Sequence, residues 1–280
     1  MKGIIVLTTA CLALAQAKFI FESPIPVREA QGLEKSTRIV NGHPAPPGRF
    51  PYQVWLRGTP ESGGDRACGG SLISYDWVLT AAHCITGIVR FTLTMGTINR
   101  NQPVFLGHST HFIIHPLYDR SHLNNDVGLI LLDSPAPQNS PYIKPITLPA
   151  PGRTSETFLN YRATVSGFGR TIDIPGSGQS HTLNWVDVRV ISNAECSAIY
   201  GSTVIVGSTI CAIGADDPSQ NPCGGDSGGP LTVQENGRSL QIGVVSFVSS
   251  SGCTSGRPAG YARTTHFIDW ISQETGLTFG

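Results

Sequence analysis

Three short segments contain side chains that together could perform nucleophilic catalysis. His83 lies in LTAAHC directly after an apolar run, Asp126 lies in NNDVGLIL directly before one, and Ser227 lies in the glycine-rich segment CGGDSGGP. A serine hydroxyl is a weak nucleophile at neutral pH unless a base accepts its proton and a third group orients that base. A histidine and an aspartate can fill these two roles, so the three segments predict acyl transfer through Ser227.

The glycines before Ser227 suit the same chemistry. Acyl transfer develops negative charge on a carbonyl oxygen, which backbone N–H groups can stabilise if they already point at it. Gly224 and Gly225 tolerate positive φ and allow the loop to turn its N–H groups toward a substrate. Such a loop alone could equally be an ordinary turn. The histidine and aspartate segments are what favour catalysis.

The elements that must position these residues are predicted to be short strands. From Ile39 onward, apolar runs of four to seven residues alternate with Gly, Pro, Asn and Ser, a pattern typical of a β-sandwich or barrel. Only Thr264–Gln273 has a helical period, with Phe267, Ile268 and Ile271 on one face. The predicted strands are Gln53–Leu56, Ser71–Ser74, Trp77–Thr80, Arg90–Met95, Val127–Leu132, Arg162–Ser166, Trp185–Ile191, Pro230–Gln234 and Gln241–Phe247.

The composition argues against several other classes of protein. Only 14% of the 280 residues are charged, whereas 32 are glycine and 20 are proline, unlike a coiled coil, a helical bundle or a disordered chain. The 19 basic and 19 acidic side chains balance, so the chain lacks the basic excess of nucleic-acid binders. The segment PITLPAPG at 145–152 is incompatible with a helix and predicts a link between two halves.

The first 38 residues predict a secreted precursor. A basic start, an apolar run at 3–14 and the small-x-small triplet at 15–17 are typical of a signal peptide, here residues 1–17. The run is too short for a membrane anchor, which needs roughly 20 residues. Residues 18–38 are charge-rich and contain no cysteine. We interpret them as an activation propeptide that ends at Arg38.

Removal of the signal peptide takes away Cys11 and leaves six cysteines. An even number in a secreted chain is typical of disulfides, but six cysteines allow about 15 pairings, so the residues alone leave the pairing open. Zinc is disfavoured because the chain has no CxxC and His83 is the only histidine beside a cysteine. His108 and His111 would lie on opposite faces of a strand. No metal site and no cofactor are therefore predicted.

In their order along the chain, TAAHC, DVGLI and GDSGGP resemble the motifs of chymotrypsin-like serine proteases, and IVNG at 39–42 resembles their activated N-terminus. The segment GVVSFVSSSGC, followed by DWI, is similar to the insect and crustacean brachyurin-like enzymes, which are collagenolytic and chymotrypsin-like. The resemblance implies an all-β fold of two packed six-stranded antiparallel β-barrels with a C-terminal α-helix. The protease domain would span 39–280, with a first barrel at about 39–145 and a second at about 150–280.

The resemblance also implies a role for each catalytic residue. Ser227 would be the nucleophile, His83 the general base and then acid, and Asp126 the group that orients His83. The N–H groups of Gly225 and Ser227 would form the oxyanion hole.

Activation and cross-linking follow from the same resemblance. A trypsin-like protease would cleave after Arg38, and the new amine of Ile39 would pair with Asp226 and order the oxyanion loop. The uncleaved chain would then be almost inactive. The family's disulfides would be Cys68–Cys84, Cys196–Cys211 and Cys223–Cys253.

The substrate pocket is predicted to be neutral. By the family pattern Asn221 lies at its floor, where trypsin-like enzymes have an aspartate, and Ala259 lies inside. Asp216 and Asp217 are interpreted as an exposed turn. Strand residues Ser246, Phe247 and Val248 would pair with the substrate backbone, with Val248 narrowing the mouth where a glycine is usual. The expected preference is Leu, Phe, Tyr and Met, then Ala.

The sequence thus predicts a secreted, monomeric zymogen of a digestive serine endopeptidase. Its partners would be protein or peptide substrates, an activating trypsin-like protease and protein protease inhibitors, without nucleic acid or membrane. A narrowly specific venom or regulatory protease stays open as an alternative. A non-catalytic protease-like binding protein is less favoured, because all three catalytic residue types are present.

Overall fold

The strands form two antiparallel sheets in a computed structural model that describes residues 21–27, 42–174 and 177–280. The predicted signal peptide and the bond between Arg38 and Ile39 lie outside the described residues. The helices are α1 (Ala82–Ile85), α2 (Asn193–Tyr200) and α3 (Thr264–Thr275). The strands are β1 (Pro24–Pro26), β2 (His43–Pro44), β3 (Gln53–Pro60), β4 (Arg66–Leu72), β5 (Trp77–Thr80), β6 (Ile88–Met95), β7 (Phe105–Ser109), β8 (His111–Ile114), β9 (Gly128–Leu131), β10 (Arg162–Gly167), β11 (Asn184–Ile191), β12 (Thr209–Gly214), β13 (Pro230–Glu235), β14 (Arg238–Ser249) and β15 (Ala259–Arg263).

The N-terminal sheet has the order β7-β6-β3-β4-β5-β9-β8. Its two edge strands, β7 and β8, follow each other in the chain with only Thr110 between them. The two edges of the sheet therefore meet at this bend. Because the bend divides one run of chain into β7 and β8, the sheet has seven strands where six were expected. Inward-facing residues such as Val54, Leu56 and Leu93 are completely buried and form its core.

The C-terminal sheet closes on itself. Six strands run in the order β14-β13-β10-β11-β12-β15, and β15 pairs back to β14. Two short strands attach outside this ring, β2 on β11 and β1 on β14. Alternate positions of β11, namely Val186, Val188 and Val190, are fully buried in the barrel interior. The predicted all-β class with two packed barrels and a C-terminal helix is confirmed.

Two connections hold the sheets together. Within the segment 145–152, Ile146 N–H donates to Leu72 O of the first sheet (2.8 Å), and Thr147 O accepts from Gln241 N–H of the second (3.0 Å). Helix α3 leaves the second sheet, yet its apolar face joins the core of the first. Gly276 ends the helix with φ of 71°, a left-handed conformation that glycine adopts without strain.

Some sequence expectations differ from the structure. The segment expected as strand Ser71–Ser74 ends at Leu72, because the chain turns there and Ile73 N–H bonds to Trp77 O (2.9 Å). Strands β7, β8, β12 and β15 lacked a recognised apolar run. Helix α2 was also missed, although Ser192 and Glu195 form a capping box that the spacing S-x-x-E indicates.

Candidate active site

His83 and Asp126 meet where two neighbouring strands end and begin. Strand β5 runs directly into α1, which contains His83, and it pairs with β9, which follows Asp126. The ring Nδ1 of His83 lies 2.7 Å from Asp126 Oδ2, and the backbone N–H of His83 donates to Asp126 Oδ1 at 2.9 Å. Both side chains are buried.

A third donor reaches Asp126 from the other sheet. The hydroxyl of Ser246, on β14, donates to Asp126 Oδ2 at 2.6 Å. Burial by itself raises the pKa of Asp126, but the charge of His83 and the hydrogen bonds from His83 and Ser246 hold that pKa below its ordinary value. An ionised carboxylate only accepts hydrogen bonds, so the proton of the imidazole lies on Nδ1. Ser246 was expected only as a backbone partner of substrate, and its link to Asp126 was missed.

The loop containing Ser227 packs directly against the histidine turn. Gly69 N–H donates to Ser227 O at 2.6 Å, and Cys84 Sγ lies 3.5 Å from the same oxygen. Ser227 is buried, and its Oγ makes no hydrogen bond to an atom of the described chain. Gly228 has φ of 79°, and a Cβ there would lie 2.1 Å from Thr80 Oγ1. The close approach of the two sheets therefore depends on a glycine directly after Ser227.

Gly225 has the positive φ that the sequence analysis anticipated, at 103°. A Cβ at this position would come within 2.6 Å of the Gln179 amide nitrogen, so the Gln179 side chain occupies the space that a larger residue would need. The preceding Gly224 accepts a hydrogen bond from Arg170 N–H at 2.8 Å. The connection between β10 and β11, in which Arg170 and Gln179 pair, thus lies directly against the loop that leads to Ser227.

Asp226 is buried beneath the same loop with two backbone donors. Gly169 N–H donates to Oδ1 at 2.8 Å and Cys223 N–H to Oδ2 at 3.0 Å. Burial raises the pKa of Asp226 to about 7, and these two hydrogen bonds offset only part of that effect. No ion pair joins it to any residue of the described ranges. Its expected partner Ile39 lies outside those ranges.

Two glycines make room for the Asp226 carboxylate. A Cβ on Gly167 would lie 2.1 Å from Oδ1, and one on Gly169 would lie 2.4 Å from Oδ2. Neither glycine was expected from the sequence. The pattern SGFGR, with alternate glycines at the end of a strand, was the available signal, because a glycine inside a strand often marks the close approach of another group.

The predicted pocket residues are all buried: residues 246–248 lie on β14 and Ala259 on its neighbour β15, whereas Asn221 lies in the loop before β13. Asn221 directs its amide nitrogen to the backbone carbonyls of Cys253 and Arg257, each at 3.1 Å, and to that of Pro218 at 3.4 Å. Val248 and Ala259 belong to the same hydrophobic cluster. Phe247 instead packs away from that cluster, against the Tyr200 ring, with a centroid distance of 5.3 Å.

Carboxylates near the pocket make other contacts. Asp216 is exposed and pairs with Arg162 at 2.6 Å, and Asp217 accepts from Ser219 N–H at 2.9 Å, which agrees with the exposed turn that was expected. Asp173, which the sequence analysis missed, is buried. Its Oδ2 accepts from both the N–H and the hydroxyl of Thr254 at 3.0 Å, directly after the Cys253 disulfide.

The six cysteines outside the predicted signal peptide form three disulfides with the pairing that the resemblance implied. Two groups of metal-ligand side chains occur in the described ranges, and each includes a disulfide-bonded pair whose sulfurs are not thiolates. Within the same ranges, no helix is long and apolar enough to cross a membrane. The disulfides are Cys68–Cys84, Cys196–Cys211 and Cys223–Cys253.

Comparison with known proteins agrees with this architecture. Residues 39–271 match the model of the family described as Trypsin. The chain is 38% identical to a collagenase of Hypoderma lineatum over 96% of this chain and 97% of that protein. It is 34% identical to brachyurin of Leptuca pugilator over 86% of this chain and all of that one. A solved structure of HL collagenase superposes with a TM-score of 0.78, covering 86% of this chain and 100% of that one at 38% identity.

The chain belongs to the trypsin family, and it is a serine endopeptidase of the chymotrypsin-like class.

Proposed function

We propose that this chain is the precursor of a secreted endopeptidase that forms an acyl-enzyme on Ser227. The observation that supports this most directly is the 2.7 Å contact between His83 Nδ1 and Asp126 Oδ2. With the proton on Nδ1, the other ring nitrogen has a lone pair that can accept the Ser227 proton and later return it to the leaving amine. The N–H groups of Gly225 and Ser227 would stabilise the oxyanion.

Activation by cleavage after Arg38 is the second part of the proposal. The match to the family begins at residue 39, and Asp226 is a buried carboxyl with a raised pKa and only backbone donors in the described chain. The amine of Ile39 would supply the cation that this carboxylate needs. Sequencing of the active form should then begin at Ile39. An active species beginning at Lys18 would contradict this part of the proposal.

We further propose a neutral primary pocket that favours Leu, Phe, Tyr and Met, then Ala. Asn221 offers no charge at the floor, so a buried Lys or Arg side chain would lose hydration without a counter-ion. Asp216 cannot substitute for an acidic floor, because Arg162 already pairs with it. A digestive role fits this broad preference. It predicts that transcripts are enriched in gut, whereas enrichment in a venom gland would favour the alternative.

The decisive experiment is activity-based labelling of the protein before and after cleavage by trypsin. A fluorophosphonate should label Ser227 only after cleavage, and the activated protein should cleave a peptide library after apolar residues. Ser227→Ala should abolish labelling, while Ser202→Ala, which changes an exposed serine of the same chain, should leave it intact. Absence of labelling in the cleaved wild-type protein would indicate a non-catalytic relative.

A further inference from the structure

A short strand from the N-terminal region lies on the edge where substrate is proposed to bind. Strand β1 pairs antiparallel with β14, with Pro24 opposite Ser249, Ile25 opposite Val248 and Pro26 opposite Phe247. Continuing this register by one residue places Val27 opposite Ser246. Two of the proposed substrate-binding residues, Phe247 and Val248, are thus paired with Pro26 and Ile25 of the same chain.

The sequence of this strand suits an edge position. Ser250 N–H donates to Ser23 O at 3.1 Å, which marks this pair as a hydrogen-bonded one. In an antiparallel ladder hydrogen-bonded positions alternate, so Ile25 and Val27 also direct their backbone groups toward β14. Pro24 and Pro26 occupy the outward positions, where the missing N–H costs nothing.

An acidic side chain anchors the other end of the segment. The Glu22 carboxylate accepts from the hydroxyls of Ser249 at 2.9 Å and of Ser251 at 3.2 Å, and it lies 3.9 Å from Arg257 Nε. The Glu22 N–H also donates to Ile199 O at 2.8 Å. These contacts bind a carboxylate five residues before Val27.

Val27 is fully buried, although it lies in a segment outside both barrels. It belongs to the hydrophobic cluster that contains Val248 and Ala259, the residues assigned above to the primary pocket. An apolar side chain from this segment is therefore packed in the same buried cluster as two of the proposed pocket residues, and the register of β1 brings it toward Ser246, the first residue of the proposed substrate strand.

We infer that residues 22–27 are an intramolecular, substrate-like ligand that occupies the cleft of the uncleaved chain, with Val27 in the primary pocket and Glu22 in an acid-binding subsite. This inference rests on the proposed function, since it uses the proposed substrate strand. It adds a subsite for an acidic residue, formed by Ser249, Ser251 and Arg257.

Cleavage after Arg38 would release this ligand. A short tether holds its ligand at an effective concentration on the order of millimolar. Residues 18–38 contain no cysteine, so after cleavage no disulfide retains them and the segment dilutes to the concentration of the protein. Residues 22–27 therefore occupy the substrate-binding strand in most molecules before cleavage and in few afterwards. This occupancy would restrain activity before cleavage in addition to the absence of the ion pair between Ile39 and Asp226.

The test uses a labelled peptide of residues 21–27 with an amidated C-terminus. Full-length protein carrying Ser227→Ala is produced, and fluorescence polarisation compares binding before and after trypsin cleavage. We expect the peptide to bind the cleaved protein at least roughly 10-fold more tightly, because the uncleaved chain already holds its own copy. In the uncleaved protein, Ile25→Pro removes the one N–H of β1 that points toward β14. This change should release the segment and restore binding of the labelled peptide.

Peptide variants define the acid-binding subsite. Glu22→Gln in the peptide should weaken binding roughly 10-fold, the size expected for hydrogen bonds to a charged group. Arg257→Gln in the protein should weaken binding of the unmodified peptide and leave binding of the Glu22→Gln peptide unaffected. Ser23→Ala in the peptide is the matched control and should bind normally, because Ser23 contributes its backbone carbonyl.

The outcomes separate the two proposals. Turnover of a chromogenic peptide by the cleaved wild-type protein tests the proposed function. Competitive inhibition of that turnover by the 21–27 peptide tests the inference. Turnover without competitive inhibition at millimolar peptide would overturn the inference alone. Absence of turnover would overturn the proposed function, while polarisation with the Ser227→Ala protein would still show whether the segment binds.

Discussion

The His83 side and the Ser227 side of the candidate site each contain a fully buried aspartate, and the two carboxyls have opposite pKa shifts. Asp126 receives hydrogen bonds from the His83 ring, the His83 N–H and the Ser246 hydroxyl, and its pKa is lowered. Asp226 receives two backbone N–H groups, and its pKa is raised to about 7. Burial is equal, so the difference lies in the neighbouring charge. A buried carboxylate is stable where a cation adjoins it and is costly where none does.

Under the activation proposed above, this difference separates a half of the site that is already complete from one that would be completed only by cleavage after Arg38. The His83 side is assembled by paired strands β5 and β9 and needs nothing from the N-terminus. The Ser227 side contains the Asp226 carboxyl, whose charged form burial disfavours, and the proposed Ile39 amine would supply the missing cation. We therefore expect cleavage to change the second side and leave the first one unchanged.

The largest expected effect tests whether the two sides act as one unit. Ser227→Ala or His83→Ala should each lower kcat of the cleaved protein by roughly 10⁴- to 10⁶-fold, and the double variant should cost little more, because each residue is useless without the other. Steady-state hydrolysis of an ester and an amide substrate measures this. Additive losses would mean that the two sides work independently.

The second prediction concerns the stability of the uncleaved chain. The pKa of Asp226 rises from its ordinary value of 3.8 to about 7 on folding, so the folded chain holds a proton that the unfolded chain releases. Its contribution to stability is complete below pH 3.8 and is lost as pH rises toward 7. At about 1.4 kcal/mol per pH unit, the loss is about 4 kcal/mol.

Denaturant unfolding of the Ser227→Ala protein between these pH values measures that loss. Asp226→Asn removes the titrating group, so the difference between the two proteins isolates its contribution from that of other carboxyls. After cleavage the Ile39 amine should cancel the loss. An identical pH dependence with and without Asp226 would show that a cation already reaches it before cleavage.

A smaller effect on activity is expected from a change on the His83 side of the site. Ser246→Ala removes one of the hydrogen bonds to Asp126, which should raise the pKa of Asp126 toward its ordinary value. Hydrogen bonds to charged groups contribute about 1.5–3 kcal/mol, so kcat/KM should fall roughly 10- to 100-fold. The acidic limb of the pH–rate profile should also move to higher pH. The Ser202→Ala protein serves as the control, and an unchanged profile in Ser246→Ala would limit Ser246 to contacts with substrate.

The smallest expected effect concerns the pocket on the second side. Val248→Gly should shift the preference of the cleaved protein toward Phe and Tyr over Leu by roughly 10-fold, because a single hydrophobic contact discriminates by about that factor. Kinetics on peptides that differ only at the residue before the cut measure the shift. A highest kcat/KM for Lys or Arg in the wild-type protein would refute the neutral pocket itself.

Much of the candidate site was accessible from local patterns. The motifs around His83, Asp126 and Ser227 stand in short contiguous segments, and the positive φ expected near Ser227 occurs at Gly225. The strands that apolar runs indicated are present apart from the one expected at Ser71–Ser74, which only overlaps the end of β4, since alternation over a few residues is a local property. No local sequence pattern indicated the bend at Thr110 that separates β7 from β8. Its position depends on where the sheet must turn to bring its two edges together.

The sequence by itself determined the residue types that can do the chemistry, the β-rich class and, through family resemblance, the disulfide pairing. Only the tertiary structure decided that Ser246 bonds to Asp126, that Gly167 and Gly169 make room for Asp226, and that residues 24–26 pair with the proposed substrate strand. Each of these contacts joins residues more than 50 positions apart. Such contacts depend on how segments distant in the chain come together in the folded protein, which no local pattern of side chains encodes.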